Sequence, residues 1–175
     1  MAITVKRTGF GQVEPNHLSA QRTGQIYAQL PATGINVLEN GQFVKYNYAE
    51  NKVGFTGAGE WMLVFNEIKL YGVGETIKDY AMKAKNALGG EATPRVFKTN
   101  IGDIYTTNAL FTGATSGEDE ITGQEIAVGG YLTVGANGFL TPADAIPADG
   151  AMAWQIVKEY TLADGQPAVK IMRVQ

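Results

Sequence analysis

The sequence predicts a mainly β protein: one or two small antiparallel β-barrel or sandwich modules, an extended N-terminal arm and one short helix in the connecting segment. Three observations carry that prediction. Glycine and proline, 22 and 6 of 175 residues, make about a sixth of the chain against roughly an eighth in average usage, so turns are frequent. Short runs of β-branched and aromatic residues alternate with polar ones at the period of two that a half-buried strand requires. Those runs are bounded by Asn-Gly and Asp-Gly pairs, which favour turns with positive φ.

Residues 1–34 are punctuated by Gly9, Gly11, Pro15, Gly24, Pro31 and Gly34. They read as an extended N-terminal arm with one strand-like run, Gln25 to Leu30, or as a terminus with no such role. The first β-module covers residues 35–73. In it Gln42 to Tyr48 alternates after the Asn40-Gly41 turn signal. Trp61 to Tyr71 begins as a continuous apolar run and ends in alternation, as expected of a strand covered on both faces at one end.

A helix-containing linker is expected at 74–100. Ile77, Tyr80, Ala81, Ala84 and Leu88 follow helical spacing, Thr76 and Asp79 fit a capping box, and Gly89-Gly90 stops the helix predicted over 75–88. The second β-module covers residues 101–175. Its strand runs are Ile104 to Phe111, Gly130 to Val134, Ala151 to Tyr160 and Ala168 to Val174, with turn signals at Asn137-Gly138, Asp149-Gly150 and Asp164-Gly165. The acidic stretch Thr115 to Thr122 reads as an exposed loop.

The halves echo one another. Asn40 to Tyr46 matches Gly129 to Val134 in pattern, Val64 to Leu70 matches Ile156 to Leu162, and Trp61 and Trp154 stand near the start of the second strand in each. A duplication would place two related units near 24–73 and 101–175; the alternative is that any two hairpins with a glycine turn look alike. Each unit is small for independent stability, so mutual packing or oligomerisation should support it.

Composition removes several kinds of chemistry. With 14 Lys and Arg against 17 Asp and Glu, the formal net charge is −3, opposite in sign to a surface that neutralises phosphates, so no nucleic-acid partner is expected. No cysteine means no disulfide, no thiolate metal site and no cysteine nucleophile; the single histidine cannot supply a histidine-rich metal site. There is no apolar stretch of membrane-spanning length and no secretory signal pattern at Met1 to Leu18, so no membrane association is expected.

Individual candidates are weak. His17 has no recognisable nucleophile or carboxylate constellation and reads as a surface or packing residue. Glu118, Asp119 and Glu120 offer oxygen ligands for Ca²⁺, but lack the alternate spacing of an EF-hand and suit a solvated loop better. The glycine-rich stretches 54–59 and 129–138 contain no phosphate-cradling motif. Trp61 and Trp154 suit a core better than a sugar-binding platform, and Glu67 and Glu159, one per module, read as solvent-facing strand residues rather than a glycosidase pair. No catalytic, cofactor-binding or metal-ligating residues are assigned, and no cofactor and no enzymatic activity are expected.

One segment carries a family resemblance. Gln124-Glu125-Ile126-Ala127-Val128-Gly129-Gly130-Tyr131-Leu132-Thr133-Val134, continuing through Gly138-Phe139-Leu140-Thr141-Pro142-Ala143, resembles the capsid decoration, or cement, proteins of tailed bacteriophages. Gly41 to Val53 and Trp61 to Leu70 look like a weaker copy. The resemblance consists of turn grammar and strand periodicity, with no catalytic groups to carry over, and the helix at 75–88 departs from the short single-barrel members. It implies a structural virion protein on the outer capsid surface, made in the bacterial cytoplasm. The implied partners are the major capsid protein and further copies of the chain, commonly as a trimer. The alternatives are another phage structural subunit, of tail, baseplate or head fibre, and a carbohydrate-binding β-module.

Overall fold

The computed structural model describes residues 3, 5–6, 9–17, 26–27, 35–66, 81–83, 93–110, 120–121 and 126–175, and among these there are strands and turns but no helix. Numbering strands in chain order, a six-stranded antiparallel sheet comprises β2 (Val13–His17), β10 (Ile104–Thr107), β12 (Tyr131–Val134), β13 (Leu140–Ala143), β14 (Ala153–Thr161) and β15 (Pro167–Arg173), ordered β13-β12-β14-β15-β10-β2. A five-stranded antiparallel sheet comprises β3 (Ile26–Tyr27), β5 (Phe43–Asn47), β6 (Lys52–Gly54), β7 (Met62–Val64) and β9 (Val96–Phe97), ordered β3-β9-β7-β5-β6. Two ribbons complete the fold: β1 (Val5–Lys6) with β11 (Glu120–Ile121), and β4 (Val37–Glu39) with β8 (Ala81–Lys83).

The sheets are open rather than closed into barrels. An isolated bridge between Leu110 and Leu140 touches the β13 edge, but no described ladder joins β13 to β2. The prolines within these edge strands are Pro15 in β2 and Pro142 in β13, where a missing N–H costs least, and Pro167 opens β15.

Side-chain alternation divides the apolar residues of the five-stranded sheet between two cores. Phe43 and Leu63 join Tyr105, Leu132, Leu140, Trp154, Ile156, Val169 and Ile171 of the six-stranded sheet region in the core between the sheets. Val44, Val53, Met62, Val64 and Val96 face the opposite way and bury with Ile35 and Leu38 near the β4 ribbon. This accounts for the unbroken apolar run at Met62-Leu63-Val64: every residue of β7 is buried, on one face or the other. Each such side chain withdraws enough apolar surface to contribute about 1.5–3 kcal/mol before chain entropy is counted.

The same array of five strands occurs twice. The order β3-β9-β7-β5-β6 is repeated as β10-β15-β14-β12-β13. Register agrees residue by residue: Val44 pairs with Met62 as Leu132 pairs with Trp154, and Tyr46 with Val53 as Val134 with Leu140. Val64 pairs with Val96 as Ile156 does with Ile171, and Val96 with Tyr27 as Ile171 with Tyr105. The entry turns also coincide. Gly41 N–H donates to the Val64 carbonyl at 3.0 Å and Val64 N–H to Gln42 at 2.8 Å, matched by Gly129 to Ile156 at 2.8 Å and Ile156 to Gly130 at 2.9 Å. Val64 thus corresponds to Ile156, as the sequence echo has it, whereas Gly41 corresponds to Gly129 rather than Gly130. Trp154 corresponds to Met62 rather than Trp61.

Three expectations change. The helix expected over 75–88 does not form at Ala81–Lys83, which is a strand paired with Val37–Glu39; the rest of that span lies outside the described residues. A narrow apolar stripe gives a short helix little support in water, so cross-strand pairing prevails there. Within 1–34, three strands are described rather than a free arm: β1 pairs with β11, β2 is the outer strand beside β10, β3 pairs with β9, and Val5 and Val13 are buried in the inter-sheet core. Glu120 and Ile121, expected in an exposed loop, form β11, while 111–119 lie outside the described residues.

The two ribbons occupy corresponding places by different routes. β4 precedes β5 and pairs with β8, which comes from the β7–β9 connection; β11 precedes β12 and pairs with β1, from the N-terminal segment. A tight turn over 162–166 joins β14 to β15, leaving no room for a covering strand there.

Candidate functional site

The candidates singled out in the sequence are dispersed. His17 ends β2, its backbone opposite Ile104. Glu159 is exposed on β14 opposite Val169, and Glu67, Glu118 and Asp119 lie outside the described residues. Trp154 is fully buried between the sheets, with Phe43 at 5.8 Å and Tyr105 at 5.0 Å between ring centroids. Trp61 is half-buried against the same core, with Lys45 Nζ 4.7 Å from its ring centroid. Among the described residues, no group of three or more His, Cys, Asp or Glu is placed to hold a metal ion, and no helix is long and apolar enough to cross a membrane.

What the fold does assemble are three polar or aromatic clusters that sequence reasoning missed. The first fastens the N-terminal segment. Gln12 N–H donates to Asn108 Oδ1 at 2.7 Å, Thr107 Oγ1 donates to the Gln12 carbonyl at 2.7 Å, and Gln12 Nε2 donates to Asp164 Oδ2 at 2.7 Å. Gln166 also reaches Asp164, through its side chain at 2.7 Å and its backbone N–H at 3.1 Å. Burial alone would raise the Asp164 carboxyl pKa, but these donors outweigh it and hold it below its ordinary value. Glu39 adds a further carboxylate contact, accepting from Gly11 N–H at 2.6 Å.

The second cluster closes one end of the six-stranded sheet. The Arg173 guanidinium donates to the Thr99 carbonyl, to Thr99 Oγ1 at 3.1 Å and to the Gln175 carbonyl at 2.9 Å. Burial lowers its pKa, and the charges of Glu60 and Asp103 oppose that shift. Glu60 in turn pairs with Lys98 at 2.9 Å.

The third is the β5–β6 hairpin tip. Tyr48 is 64% exposed and stands edge-on to Tyr46, ring centroids 4.5 Å apart. Tyr46 OH donates to Asn51 Oδ1 at 3.0 Å, and Asn51 takes the left-handed conformation, φ 54°. The run Gln42 to Tyr48 shows the aromatic residues, but not which one ends up in solvent.

Compared with known proteins, the chain matches no family model, no curated protein and no solved structure.

Proposed function

We propose that the chain is a structural virion protein that binds the outer surface of a phage capsid and stabilises it by bridging neighbouring subunits. Its partners on this reading are the major capsid protein and further copies of itself, a trimer being favoured. The observation that carries the reading is the unit formed by the segment whose pattern resembles the decoration proteins. The Gly129 turn, β12, the Asn137-Gly138 turn and β13 make one hairpin, with β14 and β15 beside it in the same array. That array occurs a second time at the weaker copy, in keeping with a tandem β-subunit. A wide, sheet-built body acts by presenting many weak contacts at once, and repetition around a symmetric shell multiplies their effect.

Co-sedimentation of the full-length chain with empty shells that lack it tests this reading. Saturable binding at a fixed number of sites per shell is expected; no association would remove it.

A second reading, a carbohydrate-binding module, is favoured by Tyr48, whose exposed ring is held by Tyr46 at the hairpin tip. An aromatic face so placed can stack on a pyranose ring. A change in intrinsic fluorescence on sugar addition, abolished by Tyr48→Ala, would support it over the first.

A further inference from the structure

We propose that the outer face of the β14–β15 hairpin is a docking surface for a protein partner that presents carboxylates, with Lys158, Lys170 and Tyr160 as its contact residues. Four observations converge on it.

The first is a β-bulge. Trp154 and Ile156 point into the core, and unbroken alternation would send Lys158 the same way. Instead the register shifts between Ile156 and Lys158, which leaves Val157 unpaired and sets Lys158 opposite Lys170. Lys170 lies between the inward-facing Val169 and Ile171, so both lysines stand on the outer face. Re-aiming a side chain is a recurrent use of bulges.

The second is the charge arrangement that results. Two ammonium groups on directly paired residues repel one another. Neither lysine forms an ion pair within the described residues; Lys170 Nζ lies 5.3 Å from the Tyr160 ring centroid, and Lys158 is exposed. Among the described residues no carboxylate neutralises the pair.

The third comes from the repeated array. The strands corresponding to β14 and β15 are β7 and β9, of 3 and 2 residues, whereas β14 and β15 have 9 and 7. The shared array does not require the extension, yet the extension carries Lys158, Tyr160 and Lys170.

The fourth is the nature of the partner. Two neighbouring ammonium groups beside a tyrosine ring match a protein surface with adjacent carboxylates. Tyrosine is enriched in such interfaces.

The full-length chain titrated with a short poly-glutamate peptide, followed by NMR, tests the assignment. Saturable shifts centred on Lys158, Tyr160 and Lys170 are expected, absent with a poly-glutamine peptide. The apparent affinity should fall by about tenfold between about 0.05 M and about 0.3 M salt, as screening requires. The double substitution Lys158→Gln with Lys170→Gln should abolish the shifts while leaving the circular dichroism unchanged. A second variant, Lys158→Glu, sets a carboxylate opposite Lys170: its thermal midpoint should rise above that of the parent while its affinity for the peptide falls. Absence of saturable shifts at these residues, or binding that survives in the double variant, would overturn the proposal.

Discussion

Trp154 and Tyr105 meet edge to face at the centre of the inter-sheet core, ring centroids 5.0 Å apart with planes at 83°. Both are fully buried, and among the described residues neither Trp154 Nε1 nor Tyr105 OH has a hydrogen-bond partner. The ring contact is favourable, whereas a buried polar atom left without a hydrogen bond costs free energy. Tyr105→Phe keeps the ring and removes one orphan, so stability in urea should stay level or rise by about 1 kcal/mol. Trp154→Ala should lower it by about 3–5 kcal/mol, because the cavity cannot close between two sheets.

Alkaline titration gives a second reading of the same tyrosine. Burial holds the Tyr105 hydroxyl pKa well above its ordinary value, so the folded state keeps a proton that the unfolded state releases. The sign follows: its contribution is complete below the unfolded pKa of about 10 and is lost as pH rises beyond it. Phenolate absorbance should show Tyr105 ionising only as the chain unfolds. Tyr105→Phe should make stability decline less steeply above pH of about 10.

Gly41 and Gly138 lock the sheets together reciprocally. A Cβ at Gly41, φ 92°, would lie 2.5 Å from Ala109 Cβ and 2.9 Å from Thr107 Oγ1. A Cβ at Gly138, φ 81°, would collide with the Phe43 carbonyl oxygen and lie 2.8 Å from the Phe55 ring, while Phe43 N–H donates to the Gly138 carbonyl at 2.7 Å. Gly102 and Gly150 share the positive φ but face open space. Alanine at Gly102 or Gly150 should therefore cost only the left-handed penalty of about 1–2 kcal/mol. At Gly41 or Gly138 the loss should be larger, with steric strain added. Denaturation midpoints of the four variants measure the difference.

The Gln12–Asp164 hydrogen bond should respond to acid. Because the Asp164 carboxyl pKa is lowered in the folded chain, its contribution is present above the unfolded value of about 3.9 and is lost as pH falls through the lower folded value. A double-mutant cycle of Gln12→Ala and Asp164→Ala should give a coupling on the order of 1 kcal/mol at neutral pH. That coupling should fade as pH falls through the lowered pKa of the folded carboxyl.

The legible part of the fold was its punctuation. Gly41, Gly138, Gly150 and Gly165, each read from an Asn-Gly or Asp-Gly pair, all adopt positive φ. Of the run Trp61 to Tyr71, Met62–Val64 form a strand buried on both faces, Phe65 and Asn66 lie past its end, and 67–71 lie outside the described residues. Strands of two or three residues, such as β4, β6 and β9, are too short to show a period. Whether a sheet closes depends on edges far apart in sequence, here β2 and β13, and no local pattern reports it. The cluster around Asp164 was invisible for the same reason, since its partner Gln12 lies 152 positions away. Lys158 was masked differently: a bulge breaks the alternation from which its direction would be read.

The proposal that this chain braces a larger shell is tested most simply by calorimetry of empty phage shells titrated with the full-length protein. On that proposal the shell's disruption temperature rises with added protein and levels off when the surface sites are filled. A disruption temperature unchanged at saturating protein would contradict it.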